Sequence, residues 1–183
     1  FGNSTGLVGY TWSKADRVFD RPGNVLNYGR RFPAKYDRRY DVNITAMHKF
    51  SEKIDVSASW VFTTGNTATL SSHEYRAANS PSFENNLFDP DTYPHFSGRN
   101  NFRYPNYHRL DLGVNFHKLT KRGNRRTWNI SIYNAYSRMN PFYISVWDES
   151  YINPQTGEKM RKKVLKQATL FPILPSLSYS IQF

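Results

Sequence analysis

Few residues in this chain have the types and spacing that chemistry requires, and those few argue for recognition rather than catalysis. Five histidines, His48, His73, His95, His108 and His117, fall at intervals that match no metal-ligand pattern. Asp89-Pro90-Asp91 offers two carboxylates without a further donor in register. The absence of cysteine closes disulfide and thiolate-metal readings. Asp148 and Glu149 are adjacent in what reads as a loop, where neighbouring carboxylates point apart and make a poor acid/base pair. No nucleophile–base arrangement is visible. Neither an enzyme nor a metal or other cofactor is therefore expected. The segment from Asn66 to Asn106 is instead dense in rings and polar donors. Tyr75, Arg76, Phe88, Tyr93, His95 and Tyr104 are its candidates for ligand contact, because flat aromatic faces beside Asn and Arg donors suit sugars or peptides. A loop packed on its neighbours as a lid is the alternative.

These residues hang from a framework of alternating segments. The last eight residues, Ser176 to Phe183, alternate strictly and place Leu177, Tyr179, Ile181 and Phe183 on one face. The same period of two runs through five earlier segments. The first lies near Ser4 to Ala15, with Leu7, Val8, Tyr10 and Trp12. The next carries Val42, Ile44, Ala46, His48 and Phe50, and a third Ile54, Val56, Ala58, Trp60 and Phe62. Leu110, Leu112, Val114 and Phe116 form the fourth, and Trp128, Ile130, Ile132 and Tyr136 the fifth. Pairing is expected to resume after Asn140-Pro141 through Ile144, Val146 and Trp147, with a bulge at the proline. A polar loop around Asn153 to Gly157 then leads to a final strand from about Leu165 to Phe183.

Short connections near Ser51 and Arg122 alternate with long ones near Gly23, Ala78 and Thr156, so all the short turns belong at one end. Phe50, Phe116, Trp128 and Phe183 close the apolar series beside that end, as an interfacial girdle requires. The opposite face carries polar residues, among them Arg109, Asp111 and Asn115, candidates to line a wet interior or to brace something within it. The pattern predicts an all-β, antiparallel, up-and-down transmembrane β-barrel wall, one domain over 1–183, with alternate residues facing lipid. Six strands are too few to close a barrel in a bilayer, because open edges leave backbone groups without partners.

Composition agrees. With 38% hydrophobic residues and a mean hydropathy of −0.71, no stretch supplies the roughly 20 apolar residues of a membrane helix. The chain begins at Phe1 without Met or a leader, so it is expected to be the mature tail of a longer exported protein. The net charge of +11 raises nucleic acid as a partner. Yet the charge divides between the two ends and the aromatics follow the girdles, which argues against it. Lys159, Arg161, Lys162, Lys163 and Lys166, with Arg30, Arg31, Lys35, Arg38 and Arg39, lie at the long-loop end, where they would meet lipopolysaccharide phosphates.

The order and spacing of several segments resemble the carboxy-terminal end of TonB-dependent outer-membrane transporters of the Bacteroidota. Within these the chain is most similar to the starch-utilisation group or the group with a carboxypeptidase-regulatory-like domain. The segments are Gly9-Tyr10-Thr11-Trp12-Ser13, Tyr36-Asp37-Arg38-Arg39-Tyr40-Asp41-Val42 and Tyr107-His108-Arg109-Leu110-Asp111-Leu112. To these are added Ile132-Tyr133-Asn134-Ala135-Tyr136 with Asn140-Pro141, and the terminal Leu174 to Phe183. The resemblance implies the last six strands of a 22-stranded barrel in the outer membrane of a Gram-negative bacterium, whose plug lies outside this chain. It implies uptake of a glycan, peptide, iron chelate or cobalamin. It also implies a TonB-type energy transducer acting through parts not in this chain, a possible surface lipoprotein, and barrel-assembly machinery that reads Leu177, Tyr179, Ile181 and Phe183. Ser178 stands where that assembly signal often has glycine. The alternative is a structural barrel that is assembled but does not transport.

Overall fold

A computed structural model describes residues 2–76 and 92–182, so Phe88 and Phe183 lie outside the described residues. The fold is all-β, without an α-helix among those residues, and every pairing with a known register is antiparallel. Eight strands are long: β1 (Ser4–Trp12), β2 (Tyr40–Ser51), β3 (Ile54–Thr63), β4 (Tyr107–Leu119), β5 (Arg125–Tyr133), β6 (Tyr143–Ile152), β7 (Lys159–Ala168) and β8 (Leu174–Gln182). Six of them make one sheet in the order β1-β2-β3-β4-β5-β8, while β6 and β7 pair only with each other. The sheet is a meander, and its two edges, β1 and β8, do not meet. The all-β antiparallel sheet agrees with the expectation, and its six strands remain open, as expected of too few strands to close a barrel.

Register explains the alternation. Across β2, β3 and β4 the pairs align Ile44 with Trp60 and Leu110. Ala46, Ala58, Leu112, Ile132 and Pro175 form a second row, and His48, Val56, Val114, Ile130 and Leu177 a third. Ile54, Phe116, Trp128 and Tyr179 close the short-turn end, with the Trp128 and Tyr179 rings 4.6 Å apart. The other face stacks Thr45, Ser59 and Asp111, then Met47, Ser57, Gly113, Ser131 and Ser176, then Lys49, Asp55, Asn115, Asn129 and Ser178. One face is thus almost wholly apolar and the other almost wholly polar. A side chain on Gly113 would stand 2.8 Å from the Ser57 hydroxyl, so the middle of the polar face packs tightly.

Among the described residues nothing covers the apolar face. Leu112, Ile130 and Leu177 are 41%, 45% and 64% exposed. Among the described residues only Phe32 and Ile144 are buried apolar side chains, and neither belongs to the sheet. His48, a polar ring on this face, is held by the Ser4 hydroxyl at 2.7 Å and meets the Phe50 ring edge-on.

Short connections join β2 to β3 through Glu52-Lys53 and β4 to β5 through Thr120 to Asn124. Gly123 turns there at a φ of 85°, which favours glycine. The connections 13–39, 64–106 and 134–173 all leave from the opposite end. Two compact units result: Phe1–Thr11, Tyr40–Thr64 and Pro105–Phe183 form the first, and Trp12–Arg39 with Gly65–Tyr104 the second. Stretches that read as irregular hold short hairpins in the second unit: Asp16–Arg17 with Phe32–Pro33, Phe19–Arg21 with Asn24–Leu26, Thr67–Ala68 with Phe102–Arg103, and His73–Arg76 with Thr92–His95. Strands of two to four residues are too short for alternation to announce them.

The fifth and final strands differ from expectation. β5 stops at Tyr133 because Asn134 turns left-handed at a φ of 56° and is fully buried. Its N–H donates to Asp111 Oδ1 at 2.9 Å, and its side-chain amide donates to the Arg138 and Phe171 carbonyls at 2.9 and 3.0 Å. Its Oδ1 accepts from the Arg138 N–H at 3.0 Å. Asn140 then takes a strand's place beside β4: its amide accepts from the His108 N–H at 3.1 Å and donates to the His108 carbonyl at 2.9 Å. The Ile144 to Trp147 segment consequently belongs to the β6–β7 hairpin and not to a resumed β5. Leu165 lies in β7, Pro172 interrupts the chain, and the last strand starts at Leu174. The basic run from Lys159 is a strand, and Asp148-Glu149 lie in β6, on opposite faces.

Asn134→Ala removes three side-chain hydrogen bonds and the residue's tolerance of left-handed backbone, and is expected to cost about 3 kcal/mol. Equilibrium urea unfolding checks this; Asn140→Ala is expected to cost about half as much.

Candidate functional site

Three polar constellations emerge, and only part of each was named by the sequence. On the polar face near the long connections, the Arg109 guanidinium donates to Asp111 Oδ2 at 2.8 and 2.9 Å, to the Tyr107 hydroxyl at 3.0 Å and to the Tyr133 hydroxyl at 2.5 Å. It also lies 4.0 Å from the centre of the Tyr133 ring. Asp111 receives the Asn134 N–H on its other oxygen. Arg109 and Asp111 are thus engaged with their own strands, fixing the end of β5.

Nearer the short turns, Asn129 donates to Asn115 Oδ1 and Asn115 to Asp55 Oδ2, both at 2.7 Å. Asp55 also meets His117 Nε2, and His117 Nδ1 lies 2.8 Å from the Thr127 hydroxyl. Threonine, histidine and aspartate are therefore in relay order, a juxtaposition hidden in sequence because β3, β4 and β5 each contribute one member. Chemistry needs more than this. Thr127 is paired on both sides, with His117 and Ser180, so its strand leaves no free backbone N–H to stabilise an oxyanion. The relay ties three strands together.

The third constellation lies in the second unit. Tyr75 and Tyr93 pair across the His73–Arg76 and Thr92–His95 hairpin with rings stacked at 6.0 Å, and His73 and His95 stack at 4.3 Å beside them. Arg76 contributes its backbone opposite Thr92. Tyr104 packs edge-on against Phe102 and donates its N–H to the Asn66 carbonyl. Three of the candidate rings thus share one hairpin, and Tyr104 stands apart.

The same unit holds a cleft of about 710 Å³ lined by Val25, Leu26, Asn27, Tyr28, Thr69, Phe96, Gly98 and Arg99. Asn27, Tyr28 and Gly29 are all left-handed, at φ of 55°, 58° and 71°. For the two non-glycine residues this conformation costs on the order of 1–2 kcal/mol each. Asn27 holds the turn: its amide donates to the Arg30 carbonyl at 3.2 Å and its Oδ1 accepts the Arg99 N–H at 2.9 Å. Gly98 permits the approach, since a side chain there would stand 3.1 Å from that oxygen. The outcome is a Tyr28 ring 80% exposed, with the Arg30 guanidinium 5.3 Å from its centre. Asn27-Tyr28-Gly29 carries a turn signature that could have marked this site in the sequence.

Asp37 secures the unit. It is fully buried, accepts the Ala15 N–H at 2.7 Å and is bridged by Arg103 at 2.6 Å and Arg39 at 3.7 Å. Arg103 also donates to the carbonyls of Asp37 and Gly65 at 2.6 and 2.8 Å. Burial pushes the Asp37 carboxyl up, but the Ala15 N–H and the Arg103 and Arg39 charges outweigh it and hold the pKa below the ordinary carboxylate value.

The C-terminal candidates Leu177, Tyr179 and Ile181 lie on the apolar face of β8 and are exposed. No family model, no curated protein and no solved structure matches this chain.

Because the folded Asp37 pKa is depressed, its contribution to stability is present above about pH 4 and is lost as pH falls through the lower folded value. Asp37→Asn leaves Arg103 without its partner and is expected to cost about 3–5 kcal/mol and to flatten the acid limb of stability. Limited proteolysis of segments 12–39 and 65–104 against pH reads both effects.

Proposed function

We propose that this chain is the carboxy-terminal wall of a TonB-dependent outer-membrane transporter of a Gram-negative bacterium, six strands of a 22-stranded barrel that takes up a nutrient. The observation that carries the reading is the uncovered apolar face. Six strands about 4.8 Å apart and about eight residues tall present roughly 750 Å² of that face, more than a soluble monomer exposes. At about 25 cal/mol per Å² its exposure to water would cost roughly 19 kcal/mol, beyond the net stability of an ordinary domain. Hydrocarbon removes that cost, and strands of 9 to 13 residues suit a tilted crossing.

Other features support the same placement. The Phe116, Trp128 and Tyr179 row supplies one interfacial girdle, and Trp60, Phe62 and His108, stacked at 6.0 and 6.4 Å, begin another at the opposite end. Edges β1 and β8 call for further strands, since unpaired backbone is not tolerated in lipid. β8 offers Leu177, Tyr179 and Ile181 to the assembly machinery. The β6–β7 hairpin offers Lys159, Lys162, Lys163 and Lys166 to lipopolysaccharide phosphates, with Glu149 between Lys162 and Lys166 at 3.5 and 3.7 Å. A TonB-type transducer acts on parts outside this chain, and a surface lipoprotein is compatible with the long connections.

A second reading, a structural barrel without transport, is favoured by the internal engagement of Arg109, Asp111 and Asn115. Isolating the native polypeptide separates the two. Fractionation with the outer membrane and a mass near a thousand residues, with a plug upstream, is the result expected for the transporter. A 183-residue product, or one soluble without detergent, contradicts it.

A further inference from the structure

We propose that the cleft around Tyr28 is a binding site for an acidic glycan, a sugar ring stacking on the exposed tyrosine while its carboxylate or sulfate meets Arg99. The inference concerns binding alone and stands whether or not the sheet belongs to a transporter.

The turn is built to display a ring. Two non-glycine residues in succession adopt left-handed backbone, and Asn27 and Gly98 brace them, yet the side chain so presented stays 80% exposed, with the Arg30 guanidinium 5.3 Å from its ring centre. Backbone strain that supports so little burial points outward, to something the ring is to meet. Phe96 gives the cleft a second ring, and the volume of about 710 Å³ lies within the range of ligand sites.

The polar chemistry narrows the ligand. Three backbone donors at or beside the cleft are already engaged: the Arg99 N–H by Asn27, the Asn100 N–H by Thr69 and the Leu70 N–H by Asn101. Thr69 also directs its hydroxyl to Asn100. At these three positions no main-chain N–H is left over for a peptide. The guanidinia remain. Among the described residues neither Arg99 nor Arg30 meets a carboxylate, although Asp16, Asp37 and their cations in the same unit are paired. A guanidinium that meets no carboxylate among the described residues, beside open rings, suits a ligand with alternating flat apolar faces and fixed negative charge, which describes a uronate or sulfated saccharide.

The test is isothermal titration of the full chain in detergent with tetragalacturonate and a chondroitin sulfate tetrasaccharide. Methyl-esterified tetragalacturonate, inorganic sulfate and a single-stranded oligonucleotide serve as comparisons. At least one acidic tetrasaccharide is expected to bind, at least tenfold more tightly than each comparison. Arg99→Gln is expected to weaken it at least tenfold and to erase any preference for acid over ester. Tyr28→Asn, which keeps a residue tolerant of the left-handed turn, is expected to weaken it to a similar degree. Lys162→Gln with Lys166→Gln, on the basic hairpin, leaves it unchanged. The proposal is overturned if neither acidic probe binds, if ester or oligonucleotide binds as well, or if affinity follows the hairpin lysines instead of Tyr28 and Arg99.

Discussion

The structure depends on a single geometric constraint: in paired strands successive side chains leave on opposite faces, and six strands in register turn that alternation into two continuous surfaces. Because Ala46, Ala58, Leu112 and Ile132 align in one row and Met47, Ser57, Gly113 and Ser131 in the next, neither face can be mixed by local variation. A shift of one residue in any strand would send its apolar side chains into the polar rows. The short turns at Glu52-Lys53 and Thr120 to Asn124 protect the register, and the Asn129–Asn115–Asp55 chain of hydrogen bonds secures it across three strands.

The long connections obey a different rule. Their described residues form no continuous apolar face, and the second unit is organised around buried polar groups: Asp37 with Arg103 and Arg39, and Thr67, whose hydroxyl donates to the Ala34 carbonyl at 2.8 Å. Ion pairs and side-chain-to-backbone bonds hold a compact body made of strands two to four residues long, and such bonds can fix an exposed ring at a chosen place. In the proposed reading the sheet is a wall and the connections carry the candidate recognition surface.

How legible each part was in the sequence follows from this division. The six strands of the sheet could be read because Val42 to Phe50, Ile54 to Phe62 and Leu110 to Phe116 carry alternation over enough residues to be unmistakable. Beyond Tyr133 the reading failed: Ile144, Val146 and Trp147 alternate just as well, but nothing in alternation tells which strand will pair with which. The deciding residue was Asn134, whose buried amide ends β5 and holds the returning chain at Phe171. The aromatic segment is rich in rings, yet Tyr28 and Arg99, 71 positions apart, come to one cleft where the Asn27 side chain holds the Arg99 N–H. Asp37 stands in a segment that resembles a transporter family, and its role is visible only with Arg103 beside it. Long-range polar pairing has no period, so it leaves little trace in one sequence.

The claim on which everything rests is that Leu112, Ile130 and Leu177 look into hydrocarbon while Ser57, Ser131 and Ser176 look into water. The absence of native cysteine makes this directly measurable by placing a spin label at each position in turn, as Leu112→Cys, Ser131→Cys and so on, in protein reconstituted into bilayers. The account predicts that collision with dissolved oxygen dominates at the first three positions and collision with a water-soluble nickel chelate at the second three, alternating along each strand. Equal accessibility to the nickel chelate on both faces, or labels at Leu112, Ile130 and Leu177 immobilised and shielded from both reagents, would contradict it.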